Sequence, residues 1–332
     1  MQRRTLMGCA ALLTLGLGSV TLGAIALWWY FHPSVERTSA IPYGERRGRP
    51  LTLEMLRPRR PNGLGVVLVV SGGWRSDPRS VQPAILAPLL RRGYTILAVS
   101  HLSQPEASIA EIAEDVQRGM RFVRYHAREY GVDPNRLAAI GGSAGGHLSL
   151  LLATRGGKGV ETAPDPVDRE SSTVQAAAVF FPVTDLLNLG TSTENPGDGG
   201  PPKSFVAAFC PDAAARLAWP ATGRDLSPIY HITANLPPIL ILHGSADTLV
   251  PLDQSVRFRD RAVAAGRTVQ LLVRPGKKHG WPSMLWDMRL FADWFDAHLR
   301  TPPPADSAAG AQTAPTGDAL PAPGRSSVGP GP

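Results

Sequence analysis

Apolar positions along residues 51–299 fall into short continuous runs separated by stretches of helical spacing. The runs are "TLEML", "LGVVLVV", "YTILAVS", "RLAAIGG", "AAAVFFPV", "PPILILHG" and "TVQLLVRPG". Runs of this length, rich in β-branched residues, predict strands buried on both faces. From Ser108 to Tyr130 the apolar residues sit at 109, 112, 113, 116, 120 and 123, and Gly131 follows. That spacing places one face of a helix against a core, with glycine as its stop. "AILAPLLRRG" reads as another helix, closed by Gly93, and others are predicted from about His147, near 253–265 and at 283–299. Strands alternating with helices predict an α/β fold with a mostly parallel, doubly wound sheet.

One interval breaks the rhythm. Between the strand after Ala176 and the strand at Pro238 lies far more chain than a crossover needs. It contains the loop "STENPGDGGPP" and the helix-like "SFVAAFCPDAAARLA", which predicts a small cap insertion at about 186–235. Residues 155–173 form a second, polar insertion. The ends differ from this 40–300 domain. Residues 301–332 are rich in Pro, Ala and Gly and are expected to be a disordered tail. Arg3 and Arg4 precede a stretch without formal charge from Thr5 to Val35, with Trp28, Trp29 and Tyr30 near its far end. This predicts a membrane anchor or signal segment over 1–36. The apolar run continues to Phe31, beyond a usual cleavage site, which favours the anchor. Arg37, Arg46, Arg47 and Arg49 on the other flank oppose a simple positive-inside orientation. The signal-anchor-like start still points to an exported, extracytoplasmic domain.

Composition narrows the function. The chain has 332 residues, 43% hydrophobic, enough for one large core. Its net charge of +7 is scattered, with no basic block interleaved with aromatics, which argues against nucleic-acid binding. Cys9 and Cys210 suggest no internal disulfide, and no Cys/His pair has zinc-ligand spacing. No metal and no organic cofactor is expected.

The chemistry concentrates in "AAIGGSAGGHLSL", residues 138–150. A buried strand runs into Gly-x-Ser-x-Gly and then a helix. Small residues at Gly141 and Gly145 let the chain turn sharply, leaving Ser143 at the tip. The Ala144 amide at the helix start can then face a developing oxyanion. A P-loop is disfavoured because no Gly-Lys-Ser/Thr follows. Serine needs a base, expected later in the chain after an acid. His279, in "RPGKKHGW" between the last strand and last helix, is the candidate base. Asp247, in "LILHGSADTLVP", is the candidate acid, with Asp185 and Asp253 as rivals. His147 and His243 read as structural, and His101 as a possible pocket wall. A second set of oxyanion donors is expected from Gly72, Gly73 and Trp74, directly after "VVLVV".

With these residues in place the chain resembles the α/β-hydrolases, in particular the esterase/lipase branch of feruloyl-esterase-like (BD-FAE) carboxylesterases. The resemblance covers about residues 40–300 and is carried by "GGSAGGHLSLLLA", "SPIYHITANLPPILILHGSADTLVPLDQS" and "PGKKHGW". It implies Ser143 as nucleophile, Asp247 as acid and His279 as base. Val70 and Ser71 stand where the family's His-Gly would precede Gly-Gly-Trp, or else the loop is one residue shorter than the family's. The expected function is hydrolysis of a carboxylic ester through an acyl-enzyme, on a small-molecule or carbohydrate ester. The rivals are a serine peptidase of the same fold and a non-catalytic, membrane-anchored binding protein.

Overall fold

The computed structural model describes residues 21–300. The expectations for 1–20 and for the tail at 301–332 lie outside the described residues. Eight strands form one sheet: β1 (Val35–Arg46), β2 (Arg49–Pro58), β3 (Gly65–Val69), β4 (Thr95–Val99), β5 (Leu137–Gly142), β6 (Ala176–Phe180), β7 (Ile239–Gly244) and β8 (Val269–Arg274). Their order is β1-β2-β4-β3-β5-β6-β7-β8. β1 and β2 pair antiparallel, as do β2 and β4, and every other pairing is parallel. The flanking helices are α1 (Ala87–Arg91), α2 (Ile109–Tyr125), α3 (Ala144–Arg155), α4 (Leu252–Ala264) and α5 (Met284–Leu299). This is the mostly parallel, doubly wound α/β arrangement expected from the alternation.

The central strands feed two cores because their side chains alternate across the sheet. Ile96 and Ala98 of β4 pack with Leu89 of α1 and Phe291 and Phe295 of α5. Leu97 and Val99 pack on the opposite face with Ile112, Val116 and Met120 of α2 and Leu148 of α3. Both faces are therefore dry, which is why these strands read as continuous apolar runs. α2 begins where Ser108 and Glu111 form a reciprocal cap, with Glu111 Oε2 accepting the Ser108 amide at 2.8 Å.

Three elements depart from expectation. β1 starts at Val35, before the predicted domain edge, and its residues are mostly exposed. An edge strand with polar residues on both faces carries no apolar alternation to detect. α1 is shorter than "AILAPLLRRG" suggested, because Pro88 occupies its first turn and a helix tolerates proline only there. α3 starts at Ala144, immediately after Ser143, rather than near His147. Residues 21–31 are helical, and no helix among the described residues is long and apolar enough to cross a membrane.

Candidate active site

The C-terminal ends of β5, β7 and β8 carry the candidate residues to one edge of the sheet. Ser143 joins β5 to α3 with φ 54° and ψ −119°, a backbone conformation that L-residues rarely adopt. The strain is held by short bonds on both sides. The Ser143 amide donates to the Phe180 carbonyl at 3.0 Å, and the His147 amide donates to the Ser143 carbonyl at 2.8 Å. The flanking glycines are sterically required. A Cβ on Gly141 would lie 2.4 Å from the backbone of Gly145, and one on Gly145 would lie 2.7 Å from the Val69 carbonyl oxygen. The strand and helix can approach this closely only without side chains at these two positions.

His279 stands on the loop between β8 and α5. Its Nε2 is 2.9 Å from Ser143 Oγ and its Nδ1 is 2.7 Å from Asp247 Oδ2. Asp247 follows β7 and is buried. Its Oδ1 accepts from the Leu249 and Val250 amides, both at 3.0 Å, which fixes the carboxylate plane. Burial pushes the Asp247 carboxyl up, but bonds from His243, His279 and the Val250 amide outweigh it and hold the group well below the usual carboxylate range. The carboxylate is therefore ionised at neutral pH and makes Nδ1 the protonated nitrogen of His279. Nε2 then presents a lone pair to the serine hydroxyl, the arrangement a general base requires.

The residues expected to donate to an oxyanion lie on the turn after β3. Gly73 and Trp74 have φ 54° and 55°, and the Arg75 amide closes the turn on the Gly72 carbonyl at 3.0 Å. The Gly72 amide in turn donates to the Arg75 carbonyl at 2.9 Å, so the expected role of Gly72 as a donor is corrected. A spent N–H cannot serve an oxyanion. The Gly73, Trp74 and Ala144 amides have no partner among the described residues and belong to the cavity wall beside Ser143.

Two residues that hold this turn carried no such signal in the sequence. Gln104 donates its backbone N–H to the Trp74 carbonyl at 3.0 Å and its side-chain amide to the Gly73 carbonyl at 3.3 Å. His147 is fully buried and accepts from Trp74 Nε1 at 3.1 Å while its Nε2 donates to the Leu226 carbonyl at 2.7 Å. Burial pushes the His147 imidazole down to about 4, so it is neutral when it bridges the turn to the cap. His243 is likewise structural: Nδ1 accepts from Ser255 and Nε2 donates to the Val250 carbonyl.

The rival residues lie elsewhere. Asp185 is bound by Arg257 at 2.5 Å and by the Leu187 and Asn188 amides, at the base of the cap. Asp253 pairs with Arg257 inside the first turn of α4, whose cap is Pro251. His101 lines a separate polar cavity of about 230 Å³ rather than the wall beside Ser143.

Above Ser143 is a cavity of about 490 Å³, walled by Trp74, Phe181, Val183, Leu249 and, from the insertion, Leu189 and Phe205. The predicted cap thus forms one side of it. No cluster of His, Cys, Asp or Glu with metal-binding geometry occurs among the described residues.

The profile of the BD-FAE family matches residues 55–261. The chain belongs to the BD-FAE family. The match takes in Ser143 and Asp247 and ends before His279. Among curated proteins, the chain is 32% identical over 233 residues to the probable carboxylic ester hydrolase LipM of Mycobacterium tuberculosis, covering 67% of this chain and 50% of that one. It is 27% identical over 263 residues to isoprenylcysteine alpha-carbonyl methylesterase ICME of Arabidopsis thaliana, covering 77% of this chain and 58% of that one. This BD-FAE chain thus spans about half the length of the curated relatives it matches. Among solved structures, esterase 2 of Thermogutta terrifontis, phosphoramylated by tabun, superimposes with TM-score 0.61 and 26% identity over 81% of this chain and 96% of that one. A truncated carbohydrate esterase from gut microbiota shares the fold, with TM-score 0.65 and 23% identity over 80% of this chain and 97% of that one.

Proposed function

We propose that the protein is a serine carboxylesterase working through an acyl-enzyme. The observation that carries this reading is the continuous hydrogen-bonded path from Ser143 Oγ through His279 to Asp247. In this mechanism His279 Nε2 takes the Ser143 proton as Oγ attacks the ester carbonyl. Asp247 stabilises the imidazolium that forms, and the amides of Ala144, Gly73 and Trp74 receive the oxyanion. His279 then protonates the departing alcohol. Water repeats the attack on the acyl-enzyme, with His279 again as base, and returns the free serine. The tabun adduct of the T. terrifontis esterase supports the same nucleophilic serine chemistry here. The esterase relatives, together with the gut-microbiota carbohydrate esterase that shares the fold, support a small-molecule or carbohydrate ester as substrate. Ser143→Ala is expected to abolish p-nitrophenyl acetate hydrolysis and fluorophosphonate labelling while leaving thermal unfolding unchanged. Undiminished turnover would remove Ser143 from the mechanism.

We further propose that the chain is held at a membrane by its N-terminal segment, with the hydrolase domain exported. Support comes from the uncharged stretch Thr5–Val35 and from the exposure of Leu22, Trp28 and Trp29 on the helix at 21–31. Arg91 lies over the Trp29 ring at 3.7 Å, and Phe31 meets Trp286 edge-on, so the foot of that helix rests on the domain. Release of the full chain from membranes by a carbonate wash would count against this reading.

A further inference from the structure

We propose that the acyl chain of the substrate extends into a second cavity behind the oxyanion turn, and that the preferred substrates are esters of extended, unbranched apolar acids. The inference rests on the esterase reading of Ser143 and His279. The second cavity measures about 450 Å³. It meets the Ser143 cavity at Gly72 and Gly142, which line both. Neither glycine puts a side chain across the boundary, and a Cβ on Gly72 would meet nothing within 4 Å. Between them the two cavities flank the position where an ester carbonyl would sit.

The floor of the second cavity is apolar. Val70, Ile140, Phe180, Met288 and Phe291 line it, and all are buried. Its polar lining residues Arg75, Asp77, Ser80 and Gln82 are exposed and stand at the mouth, which leaves the Ser71 hydroxyl as the one polar side-chain group set deeper among apolar neighbours. Met284 and Met288 are flexible and polarisable, and suit a chain of variable length.

The direction of the substrate follows from the imidazole. His279 lines the first cavity and not the second. The departing alcohol must take its proton from His279 Nε2, so the alcohol belongs to the first cavity. The acyl group leads away from the imidazole, past the oxyanion amides, toward Gly72 and the second cavity.

Val70 and Ser71 both line the second cavity. Val70 makes its part of the floor apolar, and the buried Ser71 Oγ has no hydrogen-bond partner among the described residues.

The test is a chain-length series of p-nitrophenyl esters, acetate to octanoate, on the parent protein, Val70→Phe and Ile85→Trp. Ile85 lies at the mouth, is 42% exposed, and can be enlarged without disturbing the core. In the parent, kcat/KM is expected to rise with chain length, by up to roughly fourfold per buried methylene. Each variant should lower kcat/KM for octanoate tenfold or more and change that for acetate less than twofold. Parallel loss on both esters, no loss on either, or a parent that hydrolyses acetate but not octanoate overturns the inference and leaves the esterase reading standing. A parent that hydrolyses no ester and resists fluorophosphonate overturns the esterase reading itself, and this inference with it.

Discussion

Asp247→Asn should remove nearly all activity while changing the fold little, because the site dictates which way the new amide faces. Oδ1 of Asp247 accepts two backbone N–H groups, from Leu249 and Val250, each at 3.0 Å. An asparagine keeps both bonds only if its oxygen takes the Oδ1 position. Its NH2 then takes the Oδ2 position, 2.7 Å from His279 Nδ1. Turning the amide over would set NH2 against both backbone donors, losing two hydrogen bonds at about 1 kcal/mol each. The favoured orientation therefore points a donor at Nδ1. His279 can answer it only with a lone pair, which moves its proton to Nε2. That nitrogen then donates to Ser143 Oγ and has no lone pair left for the serine proton. Loss of the correct tautomer in a serine triad costs roughly four decades in kcat, about 5 kcal/mol of transition-state stabilisation. The measurement is kcat on p-nitrophenyl acetate, with the melting temperature as control. A variant that melts like the parent and keeps kcat within tenfold would show that Asp247 does not set the tautomer.

His147 should make stability pH-dependent. Its pKa falls from 6.5 to about 4 on burial, so the folded state binds fewer protons than the unfolded chain in that range. Stability is then full above pH 6.5 and is lost as pH falls toward 4, by about 2 kcal/mol between pH 7 and pH 5. Urea midpoints at the two pH values measure this, and His147→Phe should flatten the difference; an equally steep variant would place the titration elsewhere. Gly141→Ala should destabilise by about 3 kcal/mol through its 2.4 Å approach to Gly145, whereas Gly142→Ala, whose nearest contact is 3.7 Å, should change the urea midpoint little. Equal effects at the two positions would contradict the packing argument.

How far the sequence reveals these features depends on the range of the interaction that encodes each. Gly145 answers to the Val69 carbonyl of β3 and is legible only through the Gly-x-Ser-x-Gly pattern, whereas Gly141 is legible because the constraint it satisfies is local, a collision with Gly145 four residues on. The core face of α2 is legible for the same reason, since Ile109, Ile112, Val116, Met120 and Val123 repeat with the helix and are all buried. The spent Gly72 amide is not, because it depends on the turn conformation that Gly73 and Trp74 adopt. Nor is the work of Gln104 or His147, whose partners lie far away in the chain. β1 escaped because an exposed edge strand has no buried face to impose a pattern.

The same distinction explains where the molecule tolerates strain. Among the described residues, five non-glycine positions have positive φ: Ala40, Arg47, Trp74, Ser143 and Phe181. The last three line the cavity above Ser143. Each such conformation costs of order 1–3 kcal/mol, and each is clamped by a backbone bond from a neighbouring element. Gln104 N–H holds the Trp74 carbonyl at 3.0 Å, Ser143 N–H is tied to Phe180 at 3.0 Å, and Phe181 N–H is tied to Leu242 at 2.8 Å. The anchors are central, dry strands of the sheet or loops directly attached to them. Relaxing any one would save its local cost but break a hydrogen bond in a region with little water to replace it, a loss of similar size. The strained geometry is therefore stable without substrate. The amides of Gly73, Trp74 and Ala144 are held beside Ser143 without substrate, so in the proposed mechanism little reorganisation would remain to be done in the transition state.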